Sequence, residues 1–282
     1  MVLEIIQKKL EQYHVKNTLE EAHAIKEISQ EIALMALSRT DFFQKAAFCG
    51  GTALRILYGL PRFSEDLDFI LENTNPRFVW KNYLEKIGEE MKVYGYRIEI
   101  VDRGNIDRNV RLAFLKDDSI GKILGLSYKP QQGPLKKIKI KLEIDVNPPL
   151  GASFELKYLD FPVLFSVRAL DKSSLFAGKL HALLCRQYIK GRDWYDFLWY
   201  MSQDVDVNYL FLKNAIDQAG PWAKKNEKVN STWLKKQLTK KIQEIDWNKT
   251  LDDVSPFIKQ AELASLKLWS ADLFISKVVK LR

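Results

Sequence analysis

Gly50-Gly51-Thr52-Ala53-Leu54-Arg55 is followed closely by Arg62-Phe63-Ser64-Glu65-Asp66-Leu67-Asp68-Phe69. A bendable glycine pair opens the stretch, a helical segment follows, and two aspartates then sit one residue apart in an apolar frame. On a strand, side chains alternate faces, so Asp66 and Asp68 point one way and Leu67 and Phe69 the other. Two carboxylates on one face do not ionise together cheaply unless a cation lies between them. Phe69-Ile70-Leu71 carries the strand into a core, which makes a solvent-facing acidic edge a poor account of the pair. Gly-Gly before a helix lets backbone N–H groups approach phosphate oxygens, with the helix N-terminus adding positive potential. Acids of this kind beside such a turn suit Mg²⁺-assisted phosphate chemistry, in which the metal takes hard oxygen ligands from protein, water and nucleotide.

Working outward, residues 1–44 read as helical, with Thr18-Leu19-Glu20-Glu21 as a capping box. Thr52–Tyr58 reads as a short helix ended by Gly59-Leu60-Pro61, and Leu67–Leu71 as a strand. A helix is expected over 77–92, then strands at 96–101 and 110–114. The strictest alternation is Lys137-Ile138-Lys139-Ile140-Lys141-Leu142-Glu143-Ile144-Asp145-Val146, stopped by Asn147-Pro148-Pro149. From Ser173 onward the pattern is helical. In Leu175-x-x-x-Lys179-x-x-x-Leu183 a lysine shares the face of two leucines, an unusual place unless it snorkels or meets an anion. Gly191 breaks that helix and Arg192-Asp193-Trp194-Tyr195-Asp196 opens the next, with its acids where a helix dipole favours them.

The chain has 282 residues, 46% hydrophobic and 28% charged, enough for a substantial core. A net charge of +8 favours polyanionic partners such as nucleic acid or nucleotide. Two cysteines and three histidines argue against a disulfide framework and a zinc site. Neither a signal peptide nor a membrane span is read, so a cytoplasmic location is expected.

Gly50-Gly51 with Asp66-x-Asp68 resembles the signature of the DNA polymerase β-like nucleotidyltransferase superfamily. The wider run, Arg55 with Arg62-x-Ser64-x-Asp66-x-Asp68-Phe69, is similar to one branch, the AbiEii/AbiGii toxins. A second match lies at Asp171–Leu183, with its Lys179, and continues to Arg192-Asp193-x-x-Asp196. The matches span about 45–200. The resemblance implies an α+β fold: a nucleotidyltransferase-type mixed β-sheet core flanked by helices, with a helical C-terminal region. The expected division is 1–44 (helical segment), 45–170 (core) and 171–282 (helical domain).

It further implies transfer of a nucleotide from an NTP, with Mg²⁺, to an acceptor that is RNA or tRNA. A cognate winged-helix antitoxin is the implied partner. Asp66 and Asp68 are the expected metal ligands and catalytic acids. The third carboxylate is Glu143, with Asp145 as the alternative, because Lys141-Leu142-Glu143-Ile144 matches the family's run. Gly50, Gly51, Thr52, Arg62, Ser64 and Lys179 are expected around the nucleotide, Ser64 as phosphate ligand or turn residue. Lys179 and Asp193 complete the catalytic set, Asp193 orienting Lys179 or metal-bound water and Asp196 supporting it. Lys224, Lys225, Lys228, Lys235, Lys236, Lys240 and Lys241, interleaved with Trp222 and Trp233, are expected to give RNA its footing. The rival readings are a nucleotidyltransferase acting on a small molecule or protein hydroxyl, and a non-catalytic nucleotide- or RNA-binding module.

Overall fold

The acidic run is a strand near the middle of a mixed β-sheet. The computed structural model describes residues 2–105, 109–117, 119–120 and 138–282. Its elements begin with helices α1 (Val2–Glu11), α2 (Thr18–Ser38) and α3 (Phe42–Lys45), then β1 (Ala46–Cys49), α4 (Gly50–Tyr58), β2 (Asp66–Leu71) and α5 (Lys81–Val93). Strands β3 (Ile98–Asn105), β4 (Val110–Asp117), β5 (Ile138–Asp145), β6 (Phe154–Leu159) and β7 (Phe165–Leu170) follow. The rest is helical: α6 (Lys172–Cys185), α7 (Gly191–Ser202), α8 (Tyr209–Gln218), α9 (Ser231–Gln243), α10 (Trp247–Val254), α11 (Leu263–Leu266) and α12 (Ala271–Val278), with short 3-10 turns before α11. The α+β expectation holds.

The sheet order is β3-β4-β5-β2-β1-β7-β6. Strand β2 runs parallel to β5 and antiparallel to β1, and β1 runs parallel to β7. Phe69 packs edge-on to Phe42, with ring centroids 4.9 Å apart, and Phe42 stacks on Trp80. This aromatic cluster fixes which face of β2 is buried, so Asp66 and Asp68 fall on the other face. A one-residue slip would bury both acids, which is why alternation specifies the register.

Two compact units form: Met1–Gly59 with Phe63–Pro148 and Glu155–Ala169, and Leu60–Arg62 with Pro149–Phe154 and Leu170–Arg282. The first holds most of the sheet. In the second, Trp194, Trp247, Trp269 and Phe274 make an aromatic core, Trp247 stacked on Phe274 at 4.3 Å. Gly191 is needed there, because a Cβ on it would lie 2.1 Å from the Thr250 carbonyl oxygen.

Several local expectations shift. The α2 cap is Asn17, whose Oδ1 accepts from the Glu20 amide, and not Thr18; the Glu20 carboxylate in turn accepts from the Lys16 amide. The helix expected from residue 77 starts at Lys81, because Asn75 Oδ1 takes the Arg77 amide in a local turn that competes with helix. The third strand starts at Ile98 rather than Tyr96. Gly95 there takes a positive φ of 88° and the Tyr96 amide returns to the Met91 carbonyl. Lys137, expected to begin the alternating strand, lies outside the described residues.

Candidate active site

Strand β2 brings Asp66 and Asp68 to one face, and β5 supplies its neighbours in parallel register: Asp66 opposite Lys141, Asp68 opposite Glu143 and Ile70 opposite Asp145. Glu143 is therefore the cross-strand partner of Asp68, one alternation nearer to it than Asp145, whose side chain accepts from the Asn147 amide at 2.9 Å. On the other flank, Cys49 pairs with Asp68, and the chain turns from β1 into α4 at Gly50. Gly50 has φ +76°, and a Cβ there would lie 2.2 Å from Asp68 Oδ2. Only glycine lets the carboxylate lie against the start of the helix, and only glycine adopts that φ without strain. The N-cap of α4, Cys49, makes no side-chain capping bond, so no side chain of the cap takes the first amides.

Burial, reinforced by crowding of like charge, sets the electrostatics. Burial pushes the Asp68 carboxyl up from 3.8 to about 7, helped by the negative charges of Glu143 and Asp66 and by a hydrogen bond with Glu143, against a smaller opposing pull from Lys141. Burial, with Asp68, Asp145 and Glu143, holds the Cys49 thiol well above its usual range. Lys141 Nζ lies 2.5 Å from Glu143 Oε1. Its own burial works to lower its pKa, and Glu143, Asp66 and Asp68 more than offset that.

Among the described residues no group of three His, Cys, Asp or Glu side chains stands arranged to hold a metal ion. The donor set nonetheless fits a hard divalent cation. Its atoms are carboxylate oxygens, and Glu143 and Asp66 add negative charge beside Asp68, whose burial already raises its pKa.

The second unit contains a separate ionic cluster. Arg62 donates from Nε and Nη2 to the two oxygens of Asp196, at 2.6 Å each, and both side chains are almost fully buried. Lys179 Nζ reaches Asp193 Oδ1 at 2.7 Å and Asp196 Oδ2 at 2.8 Å, and Arg186 pairs with Asp193 Oδ2. Burial works to lower the Lys179 pKa, but Asp193 and Asp196 leave it raised. Burial likewise works to raise Asp193, and Lys179 and Arg186 more than offset it, leaving that carboxyl below its usual range. Two carboxylates and three cations thus satisfy one another in a fork geometry that arginine favours.

The remaining expected residues are placed as follows. Thr52 is buried and its hydroxyl donates to the Asp66 carbonyl, which ties the start of α4 to β2. Arg62, expected near the nucleotide, is buried and pairs with Asp196 in the second unit. Ser64 is half-buried and its carbonyl accepts from Gln30 Nε2. Arg55 bonds Glu27 at 2.8 Å. Lys224, Lys225, Lys228, Lys236 and Lys240 are exposed, Lys235 and Lys241 half-buried, and Trp222 meets Trp233 edge-on at 5.3 Å. Sequence reasoning missed Lys141 as the cation among the acids, although it stands two positions from Glu143 on the same face. It also missed Arg186, the residue just past the end of α6, which pairs with Asp193.

A crystal structure described as a proposed nucleotidyltransferase from H. pylori aligns at 18% identity and TM-score 0.49, covering 91% of this chain and 96% of that one. That of JHP933 from Helicobacter pylori aligns at 18% and 0.49, covering 92% and 94%. No curated protein matches the chain. The family model described as nucleotidyl transferase AbiEii toxin of type IV toxin–antitoxin systems matches residues 32–273, and a match over so much of its length makes this chain a member of the AbiEii nucleotidyltransferase toxin family.

Proposed function

We propose that the protein transfers a nucleotide from an NTP to an RNA acceptor, tRNA above all, using Mg²⁺ held by Asp66, Asp68 and Glu143. The observation that carries this reading is the crowding of those carboxylates in register, with Gly50 kept free of a side chain so that Asp68 can lie against the start of α4. When bound, the metal would neutralise phosphate charge and lower the pKa of the attacking hydroxyl.

The chain's own groups do the rest. The amides of Gly50 and Gly51, without a capping side chain, donate to phosphate oxygens. The acceptor's hydroxyl gives its proton to a carboxylate of the cluster, Glu143 in this reading. Its oxygen bonds the α-phosphorus, and the bond to the β,γ-pyrophosphate breaks with its electrons on the leaving group. Lys179, oriented by Asp193 and supported by Asp196, is assigned to nucleotide handling. The exposed lysines Lys224, Lys225, Lys236 and Lys240 are assigned to the RNA backbone. A cognate antitoxin is the expected regulator. No described helix is long and apolar enough to cross a membrane, and two free cysteines suit the reducing cytoplasm to which we assign the protein.

The test is incubation of purified protein with each labelled NTP and total RNA, with Mg²⁺ or with EDTA. Label is expected in RNA with one or a few NTPs and only with metal. Label in protein or small molecules, with none in RNA, would overturn the RNA acceptor. No transfer with any NTP would overturn the activity.

A further inference from the structure

Helix α2 grips the three residues that lead into Asp66, each by a different group. Lys26 Nζ lies 3.0 Å from Glu65 Oε1. Gln30 Nε2 donates to the Ser64 carbonyl at 3.4 Å. The His23 ring stacks on Phe63, with centroids 5.0 Å apart and planes 12° from parallel. The other face of the contact comes through Glu27, which takes Arg55 Nε at 2.8 Å; the Arg55 guanidinium then lies 4.7 Å over the same Phe63 ring. Tyr13 donates to Glu27 at 3.0 Å, tying α1 into the set. His23, Lys26, Glu27 and Gln30 all precede residue 32, where the family match begins.

Hydrophobic burial accounts for Phe63 alone. It gives no reason for a lysine to hold Glu65, or for a fully buried glutamine to spend its amide on the Ser64 backbone. What these contacts share is the chain's entry into β2. Side chains alternate along a strand, so the backbone at Ser64 and Glu65 decides where the first acid points. We propose that α2 is a positioning element for the acid pair: Lys26, Gln30 and the His23 and Glu27–Arg55 contacts on Phe63 set the approach of the chain and thereby the geometry in which Asp66 and Asp68 receive a divalent cation. This rests on the metal reading given above.

Charge makes the proposal separable from simple electrostatics. Lys26→Glu adds negative charge near the acids, so through-space attraction alone would tighten cation binding. The carboxylate introduced at position 26 repels Glu65 and displaces the leading segment, so positioning predicts weaker binding. The double exchange Lys26→Glu/Glu65→Lys restores the pair. Through-space effects would make that double variant the weaker binder, since it sets an ammonium beside Asp66, whereas positioning makes it the stronger of the two.

The experiment titrates Mn²⁺, read by its EPR signal, into full-length wild type, the single variant and the double exchange, with thermal melting in EDTA alongside. The expected result is about a tenfold loss of affinity in Lys26→Glu and recovery of most of it in the exchange. Binding by Lys26→Glu as tight as wild type or tighter overturns the proposal. If the charge variant melts below the assay temperature, Gln30→Met, which removes the amide donor to Ser64, replaces it: weakened Mn²⁺ binding supports positioning and wild-type binding overturns it. Wild type that binds no Mn²⁺ overturns the metal reading itself and this inference with it.

Discussion

Asp68→Asn should make the metal-free protein more stable at neutral pH while abolishing nucleotide transfer. Folded Asp68 keeps its proton up to about pH 7, whereas an unfolded aspartate releases it near 3.8. Between those values the folded state binds more protons than the unfolded one, so stability falls as pH rises. The contribution is complete below 3.8 and gone above about 7. At ~1.36 kcal/mol for each pKa unit the ceiling is about 4 kcal/mol. Asp68 is half-buried, so solvent screening reduces this to about 2 kcal/mol. An amide at this position keeps a hydrogen-bonding partner for Glu143 and cannot ionise. For a protein of this size the gain corresponds to a rise in Tm of roughly 4–8 °C. The assay is thermal unfolding in EDTA at pH 5 and pH 8. The gap between variant and wild type should be wider at pH 8, and added Mg²⁺ should stabilise wild type and not the variant. A variant that melts at or below wild type at pH 8, or an equal gap at both pH values, would show that the folded surroundings do not raise the Asp68 pKa.

Three further outcomes are expected. Gly50→Ala should lose nearly all activity and about 1–3 kcal/mol of stability, since a Cβ there meets Asp68 Oδ2 at 2.2 Å and the backbone is left-handed; activity and melting near wild type would contradict the close approach. Lys179→Ala leaves Asp193 and Asp196 short of a cation in a buried cluster and should cost about 3–5 kcal/mol, with turnover falling far more than in Lys235→Ala; equal effects on melting and turnover at the two lysines would make Lys179 an ordinary surface residue. Replacing Lys224, Lys225, Lys235 and Lys236 together should flatten the salt dependence of RNA affinity while leaving NTP binding unchanged, and an unaltered slope measured by filter binding would move the RNA footing elsewhere, for instance to Lys139 and Lys141 on β5.

The placement of the acids on one face of β2 was readable from alternation alone, because Leu67 and Phe69 must go to the core. The same held for β5, whose charged positions line one face. Their pairing was not readable: parallel register between distant strands depends on the crossover, and no local pattern sets Asp68 opposite Glu143. Nor does a glycine pair announce why it is there; the reason, a carboxylate where a Cβ would be, exists only in three dimensions. Lys179 in an apolar stripe signalled an anion, and the Arg192-Asp193-x-x-Asp196 run pointed to the aspartates that meet it, but not to Arg62 joining them from a remote segment. Strand β1 escaped notice because its four residues, Ala-Ala-Phe-Cys, show no alternation. The α2 cap moved by one residue because Asn17 and Thr18 both cap well and glutamates stand at both 20 and 21.

The most direct test of the account is nucleotide transfer by folded Asp66→Ala and Asp68→Ala proteins, measured with the labelled NTP and RNA acceptor that wild type uses, in Mg²⁺. Folding is checked first by circular dichroism and melting. The account predicts that each variant stays folded and transfers at background rate, because the carboxylates that hold the cation are gone. Transfer at the wild-type rate by either folded variant would contradict it.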